Sequence, residues 1–308
     1  MYDLRRLRAF HAVGEAGSFS AAAHELGYTQ SVVSHHVAAL ERELGVTLVN
    51  RGTRPVSVTD AGARLLEHAA AVLGNVAAAE DELRAVVGLQ SGTLRLGAFL
   101  SACHSFVPPA LARFEAAHPG VEVLLEQVEE PEAQRRLRSG HLDLAIVWRD
   151  WQPPDGRGKD GDEGFEQLHL ADDHYRVVLH PDHPLSRQRE IRVGQLAGER
   201  FNAPPAEGFT LPYRTMLEQL CLEAGFEPNI AYVLTDVTVA RAFVAAGLCV
   251  SLMAELTVPE PRTDVAVRPI RDVDPFRSIY ATWMRGRRIP AVPGIVPCLA
   301  DAAAARLG

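Results

Sequence analysis

The chain has 308 residues, of which 47% are hydrophobic and 23% are charged, and its formal net charge is −8. This length allows two or three domains with filled cores, and the acidic balance excludes nucleic-acid binding through overall positive charge. The four cysteines, Cys103, Cys221, Cys249 and Cys298, lie far apart in the sequence. Their spacing argues against a zinc site or a disulfide framework and predicts a reducing compartment.

The hydropathy of the chain predicts a cytoplasmic protein. Residues Met1 to Phe10 include charged side chains and no apolar signal core. The most apolar stretch, Ala242–Ala254, is too short to span a bilayer. We therefore expect no membrane contact.

The first 45 residues predict three short helices. Gly17 ends the first helix, and Ser18 is a good N-cap for a second helix that Gly27 ends. Thr29 is the expected N-cap of a third helix that runs to about Leu44. Two helices joined by a short turn, with glycine at the joint, are typical of a helix-turn-helix.

The third predicted helix has two faces. Its apolar residues are spaced 4, 3 and 4 apart and predict a buried stripe: Val33, Val37, Leu40 and Leu44. Its polar residues lie on the outer side near the N-terminus: Gln30, Ser31, Ser34 and His35. In a helix-turn-helix these positions reach base edges and phosphates in the major groove. A small helical domain with a solvated polar face is the alternative.

Residues 48–59 predict a wing. Two short strands flank a turn that contains Arg51 and Arg54, where contact with the DNA backbone or minor groove is expected. Residues 1–60 contain six Lys and Arg and six Asp and Glu. Any DNA specificity must therefore rest on a few groups of the third helix and the wing.

Residues from Asp60 to about Val87 predict one long helix, with Asp60 as its N-cap. Apolar residues alternately 4 and 3 apart form a heptad seam: Leu65, Ala69, Val72, Val76, Ala79, Leu83 and Val86. Such a seam is compatible with a dimerisation helix or with a helix buried within its own chain. Gly88 and Ser91-Gly92 predict a hinge.

From Thr93 onward, strand patterns alternate with helix patterns, which predicts a mostly parallel sheet. The expected strands are Thr93–Ala98, Val121–Gln127, Leu142–Val147, Tyr175–His180, Phe201–Ala203, Asn229–Val233, Leu248–Leu252, Val265–Ile270 and Ser278–Trp283. The expected helices are 103–117, Glu132–Ser139, 212–224, 237–246 and 292–306. Residues 150–167, rich in Gly, Asp and Pro, predict an exposed loop.

Several ordered segments resemble the LysR-type transcriptional regulators. In the N-terminal region these are Ala21–Leu26, Thr29–Ser34, Leu40–Leu48, Arg51 and Thr59–Gly62. Looser similarity continues through residues 108–121, 140–146, 180–185 and 244–252, so it covers nearly the whole chain. The chain departs from the family at His35, where many members have Arg, and at Val49, where most have Phe.

The resemblance implies an α/β fold with three regions. These are a winged helix-turn-helix over 1–59, a linker helix and hinge over 60–90, and a two-lobed effector-binding domain over 91–308, similar to periplasmic solute-binding proteins. Lobe I covers about 91–165 and 269–308, and lobe II covers 166–268. The resemblance also implies a homodimer through the linker helix, a homotetramer, double-stranded operator DNA and a small organic effector. The expected DNA contacts are Ser18, Thr29, Gln30, Ser31, Ser34, His35, Arg51 and Arg54.

By family position, a set of residues is expected to line the effector cleft: Ser101, Ala102, Glu130, Trp148, Ala203, Phe209, Thr235 and Asp236. Ser101 stands near a predicted helix N-terminus, where backbone N–H groups favour an anion, and a plain helix cap is the alternative. Trp148 and Phe209 predict an apolar wall. Glu129 and Glu130 argue against a purely anionic effector.

No group of residues in the sequence indicates catalysis. The pairs Asp173-His174 and Asp182-His183 resemble acid–base pairs, but neighbouring residues in a strand point in opposite directions. Cys103 is a candidate redox thiol, since a helix N-terminus lowers the pKa of a cysteine. We expect a regulator without metal or cofactor. An enzyme and a regulator with a vestigial cleft remain as alternatives.

Overall fold

A computed structural model describes residues 3–50, 56–86, 92–150, 164–207, 211–258, 264–287 and 289–307. The chain divides into two compact units. The first unit comprises Met1–Gly92, Gln134–Asp143 and Gly286–Pro290, and the second comprises Thr93–Ala133, Leu144–Arg285 and Ala291–Gly308. Among the described residues, no helix combines the length and apolar character needed to cross a membrane.

The first unit begins with three short helices: α1 (Leu4–Ala16), α2 (Phe19–Leu26) and α3 (Gln30–Leu44). The predicted caps are confirmed, because the Ser18 hydroxyl accepts a hydrogen bond from Ala21 N and the Thr29 hydroxyl accepts one from Val32 N. Gly17 and Gly27 end their helices in the left-handed conformation, which glycine adopts without steric cost.

The three helices share one core. Phe10, Val13, Val33, Val37 and Leu40 are fully buried and pack together. Each such side chain contributes about 1.5–3 kcal/mol relative to an exposed position. The predicted buried stripe of α3 is therefore confirmed, and the polar side of the same helix is left outside the core.

The predicted wing is confirmed in its described part. Strands β1 (Val49–Asn50) and β2 (Ser57–Val58) pair antiparallel. The Glu41 carboxylate on α3 accepts hydrogen bonds from Leu48 N and Val49 N, and so holds the start of the wing. Arg51 and Arg54 lie outside the described residues.

The long helix α4 (Asp60–Val86) is confirmed, with one correction at its start. The Thr59 hydroxyl, not Asp60, caps it, by accepting a 3.0 Å hydrogen bond from Gly62 N. A side chain at Gly62 would overlap the carbonyl of Leu48, which explains glycine at this position. Early in the helix Ala69 is buried against the helix-turn-helix core, whereas Val72 and Leu83 are 43% and 66% exposed.

Two shorter segments complete the first unit. One contains most of α7 (Glu132–Ser139), and both lie along α4. A Cβ on Gly74 would lie 2.8 Å from the Cα of Gly140, so two glycines are needed for this close approach. Arg287 donates to the Gly74 carbonyl and pairs with Asp143 at 3.0 Å.

The second unit contains a seven-stranded sheet and a two-stranded sheet. The large sheet has the order β10-β6-β11-β5-β3-β4, with β9 paired to β6, and the small sheet pairs β7 with β8. Its strands are β3 (Gly92–Ala98), β4 (Val121–Gln127), β5 (Leu144–Asp150), β6 (Phe165–Leu179), β7 (Arg200–Ala203), β8 (Asn229–Val233), β9 (Ser251–Ala254), β10 (Ala266–Pro269) and β11 (Phe276–Met284). Its helices are α5 (Leu100–His104), α6 (Val107–Ala117), α8 (Leu211–Glu223), α9 (Val237–Ala245) and α10 (Val292–Leu307).

The expectation of a mostly parallel sheet is wrong. Strand β3 runs parallel to β5, but β11 runs antiparallel to both β5 and β6, and β9 and β10 are antiparallel to β6. Strand β11, which follows β9 and β10 in the chain, lies between the consecutive strands β5 and β6 and runs opposite to both, so the pairs at the centre of the sheet are antiparallel. The sheet is therefore mixed.

Two further expectations need correction. The single helix predicted over 103–117 is two helices, α5 and α6, and the chain turns sharply at Ser105, whose hydroxyl donates to the Ser101 carbonyl at 2.6 Å. Strand β6 begins at Phe165, inside the predicted loop of 150–167, and is fifteen residues long. Residues 151–163 of that loop lie outside the described residues.

Candidate functional sites

The polar side of α3 forms the first candidate site. Gln30, Ser31 and His35 are exposed and Ser34 is half-buried. The Thr29 hydroxyl, besides capping the helix, lies 2.9 Å from the Ser31 hydroxyl. Ser18 is half-buried at the start of α2. The structure thus places the polar set of α3 together on one exposed surface at the N-terminal end of the helix.

The second candidate site is a cavity of about 170 Å³ in the second unit. Four of the predicted effector residues line it: Ser101, Trp148, Thr235 and Asp236. Ala102 and Ala203 are buried and lie outside its lining, as does the half-buried Glu130, whereas Glu129 lines the cavity. Phe209 lies outside the described residues.

A buried ion pair closes one wall of this cavity. Arg277 on β11 donates from Nε and Nη2 to one oxygen of Asp173 on β6, at 2.9 and 2.7 Å. Nη2 also donates to the Ser101 hydroxyl at 2.6 Å. Burial opposes the charge of Arg277, but the adjacent Asp173 carboxylate outweighs it and raises the pKa of Arg277. Arg277 therefore keeps its positive charge despite its burial.

Arg277 is also held by aromatic rings. Its guanidinium carbon lies 5.1 Å from the ring centre of Phe99 and 5.3 Å from that of Trp148, within the range of a cation–π interaction. Arg277 was not among the residues expected from the sequence to line the cleft. Its signal was the period-two pattern of β11, in which Arg277 shares a face with the buried Ile279 and Ala281.

A carboxylate already occupies the expected anion position. One oxygen of Glu129 accepts a 3.0 Å hydrogen bond from Leu100 N, the first residue of α5, and the other lies 3.5 Å from Trp148 Nε1. Ser101 makes no cap, because the N-cap residue is Phe99, whose own side chain accepts no hydrogen bond. Ser101 is instead a partner of Arg277.

Further polar groups line the same cavity. Asp236 caps α9 by accepting hydrogen bonds from Val239 N at 3.0 Å and Thr238 N at 2.7 Å, and these bonds lower the pKa of Asp236. The Tyr213 hydroxyl donates to the Leu252 carbonyl. The lining also includes Asn202 of β7 and Ser251 of β9. These two residues and Tyr213 were not predicted from the sequence.

The candidate acid–base pairs serve other contacts. Asp173 pairs with Arg277, and its second oxygen accepts a hydrogen bond from Leu256 N. His174 lies 2.8 Å from Asp274, and His183 accepts a hydrogen bond from Leu185 N. Asp173 and His174 therefore point to different partners, as expected for adjacent residues of a strand.

The expected low pKa of Cys103 is wrong. Burial, together with the negative charge of Glu129, raises the pKa of its thiol. Its Sγ lies 3.6 Å from the Ala98 carbonyl. A neutral thiol is a poor nucleophile, so this environment does not favour a redox sensor.

One group of possible metal ligands occurs among the described residues. His11, Glu15 and His141, all in the first unit, each place a ligand atom within 4.8 Å of the others. Burial, and then the neighbouring His141, lower the pKa of His11. The group lies outside both candidate sites.

A winged helix-turn-helix, a long helix and a sheet-built cavity define a transcriptional regulator with a separate ligand-binding part. The family model for the bacterial regulatory helix-turn-helix protein of the lysR family matches residues 4–63, and the model for the LysR substrate binding domain matches residues 88–304. The chain belongs to the LysR family of transcriptional regulators. It is a regulator and not an enzyme, as predicted.

Curated relatives cover most of the chain. It is 33% identical to the HTH-type transcriptional regulator CfxR of Cupriavidus necator, over 88% of this chain and 83% of that protein. It is 29% identical to the Hca operon transcriptional activator HcaR of Escherichia coli, over 94% of each.

Solved structures show the same fold along the chain. A full-length OxyR variant from Pseudomonas aeruginosa matches with a TM-score of 0.74 at 23% identity, covering 98% of this chain and 95% of that one. Full-length CbnR, solved in complex with its target DNA, matches with a TM-score of 0.68 at 24% identity, covering 97% and 99%.

Proposed function

We propose that two copies of the chain bind a dyad-symmetric operator in double-stranded DNA, and that a small organic effector in the cavity of the second unit changes this binding or the resulting activation. The observation that carries the proposal is the exposed polar surface at the N-terminal end of α3, beside a wing. The similarity to CbnR, solved with its target DNA, supports the same use of this surface.

The proposed DNA contacts follow from this placement. Gln30, Ser31, Ser34 and His35 reach the major groove, where a glutamine pairs bidentately with adenine. The capping residues Ser18 and Thr29 mark helix N-termini, which favour phosphates. Arg51 and Arg54 of the wing contact the backbone or the minor groove.

We also propose a homodimer formed along α4. Beyond its contact with the helix-turn-helix core, the seam presents the exposed apolar side chains Val72 and Leu83. Exposed apolar residues at heptad spacing favour pairing with a second helix. Two dimers would form a homotetramer in the cytoplasm, with reading heads over 1–59, linkers over 60–90 and effector domains over 91–308.

The proposed effector contacts are the predicted residues that line the cavity: Ser101, Trp148, Thr235 and Asp236. Ala102, Glu130 and Ala203 would act by shaping the wall behind that lining. Phe209 stays a prediction from the sequence. Arg277 and Glu129 join the proposed set, because both line the cavity.

A gel-shift experiment with DNA upstream of the chain's own gene tests the reading surface. Because a good base contact contributes about 1–3 kcal/mol and the dimer makes this contact twice, Gln30→Ala should lower operator affinity by roughly 30-fold or more. Gln219→Ala on α8 makes the same substitution in the second unit and should leave the affinity unchanged. Wild-type protein that binds without sequence selectivity, or a Gln30→Ala variant of full affinity, would contradict the proposal.

A further inference from the structure

We infer that the effector is a compact cation, an ammonium group on a body about the size of one aromatic ring, because the cavity supplies its own carboxylate where an anionic effector would have to lie. This inference rests on the proposed function, since it concerns the ligand of the proposed effector cavity. It reverses the preference for an anion that the position of Ser101 suggested.

Glu129 lies where an anionic ligand would have to bind. Its two oxygens face the Leu100 N–H and the Trp148 indole N–H, which are the donors that an incoming carboxylate would use. An anionic ligand would have to displace Glu129 or lie against its negative charge. Each carboxylate oxygen has two lone pairs, so Glu129 can still accept a hydrogen bond from a ligand N–H.

The positive charge of the cavity is already matched. Two of the donors of Arg277 are bonded to Asp173, whose side chain is fully buried. Drawing Arg277 away from this pair would leave an uncompensated buried carboxylate, which is strongly unfavourable. Arg277 therefore stays with Asp173 and offers an anionic ligand little net attraction.

The formal charges around the cavity are mainly negative. Glu129 and Asp236 line it, and Asp173 lies behind Arg277. With these three carboxylates and the single guanidinium, the charged groups leave an excess of negative charge. A positively charged ligand is favoured over a negative one of the same shape, most strongly where walls of low dielectric exclude water.

The size and wall chemistry of the cavity also bear on the ligand. The cavity measures about 170 Å³, and a protein cavity of roughly 150 Å³ holds benzene. Tyr175 and Tyr213, whose ring centres are 5.7 Å apart, add to Phe99 and Trp148 along the lining. Aromatic faces together with a carboxylate are a favourable environment for an organic ammonium group.

The test compares three ligands that share one ring and differ in charge. Benzylamine, benzyl alcohol and benzoate are titrated into the full-length protein at pH 7.5, with affinity measured by calorimetry and the shift in Tm measured in parallel. We expect benzylamine to bind at least tenfold more tightly than benzoate, with benzyl alcohol between them.

One variant and one control test whether the charge of Glu129 causes the preference for a cation. Glu129→Gln keeps an oxygen that can accept from Leu100 N but loses the charge, and it should weaken benzylamine at least fivefold while changing benzyl alcohol little. Glu122→Gln, an exposed change on β4, is the control and should alter none of the three affinities.

Three results would overturn the inference: benzoate binding as tightly as benzylamine, no binding by any of the three, or equal benzylamine affinity in Glu129→Gln and wild type. If benzoate is the only one of the three ligands to bind, the cavity remains a candidate effector site, and only the inference of a cationic effector is rejected. Operator binding by the ligand-free wild type is measured in parallel, and its absence would reject the proposed function independently of the probe affinities.

Discussion

Arg277 and Asp173 illustrate how a buried charge depends on its partner. The side chain of Arg277 is 7% exposed and that of Asp173 is fully buried. Replacing the guanidinium by a methionine leaves the carboxylate without its ion pair in a site of low dielectric. We predict that Arg277→Met lowers the free energy of unfolding by about 3–5 kcal/mol, measured by urea denaturation.

Two controls distinguish the loss of the buried ion pair from other effects of replacing arginine by methionine. Arg113→Met breaks an exposed pair with Asp301 and should cost at most about 1 kcal/mol. The double variant Arg277→Met/Asp173→Leu removes both charges and should recover most of the loss. A single variant as stable as Arg113→Met, or a double variant no better than the single one, would contradict the prediction.

Asp236 is predicted to stabilise α9 as its N-cap. Asp236→Ala removes the acceptor for Thr238 N and Val239 N and should cost about 1 kcal/mol, whereas Asp236→Asn should retain most of the cap. The measurement is urea unfolding of both variants at pH 7. Equal stability of the alanine variant and the wild type would show that the cap contributes nothing.

The same cap should depend on pH. Because its hydrogen bonds lower the pKa of Asp236, its charge-dependent contribution is complete above the unfolded pKa of about 3.9 and is lost as pH falls through the lower folded value. Asp236→Asn should remove this part of the pH dependence, so the stability difference between wild type and variant should shrink as the pH is lowered below about 4. A constant difference across that range would contradict the prediction.

Among the elements, the apolar seam of α4 is buried against the helix-turn-helix core at one end and exposed further along the helix. Ala69 packs on the helix-turn-helix core, whereas Leu83 is 66% exposed. We predict that Leu83→Glu shifts the protein from dimer toward monomer at micromolar concentration, because a charge would have to be buried in the helix pair. The measurement is light scattering coupled to size-exclusion chromatography.

Ala63→Glu is the matched control for the seam. It adds the same charge at an exposed position of α4 that is not part of the heptad stripe. It should leave the mass of the assembly unchanged. If Leu83→Glu and Ala63→Glu give the same mass as the wild type, the dimer forms through another surface.

Local signals predicted the helices of the first unit well. Capping side chains and glycines at the helix ends act over three or four residues, so Ser18, Thr29, Gly17 and Gly27 could be identified from the sequence alone. The split between α5 and α6 was missed, because apolar spacing continues through Ser105 and only the backbone geometry shows the turn.

Long-range pairing could not be predicted in the same way. Whether β11 runs parallel or antiparallel to β5 depends on the connections around it, and short apolar strands carry no signal for direction. The cavity could not be predicted from local signals either, because Glu129, Arg277 and Asp173 come from three distant segments of the chain. The resemblance indicated part of the lining, and the hydrogen bonds that set its charge became visible only in the fold.

For the whole molecule, the uneven distribution of charge matters. Residues 1–60 are balanced, so the entire net charge of −8 lies in residues 61–308. The Debye length at physiological salt is about 8 Å, so only charges close to the DNA act on it, and the reading head itself has no net positive charge. Binding to unrelated DNA should therefore be weak, and specific binding should involve few phosphates.

This charge distribution predicts a shallow salt dependence for operator binding. If each of two heads places Arg51 and Arg54 on phosphates, four phosphates are neutralised, and log K should fall with log salt with a slope of about −3.6. Arg54→Ala removes two of these contacts from the dimer and should reduce the slope to about −1.8.

Arg306→Ala, which removes the same charge from α10, should keep the wild-type slope. Fluorescence anisotropy with labelled operator from about 50 to 200 mM salt gives the three slopes. An unchanged slope in Arg54→Ala would remove the wing from the phosphate contacts, and a wild-type slope near about −10 would show that many more cations than these take part.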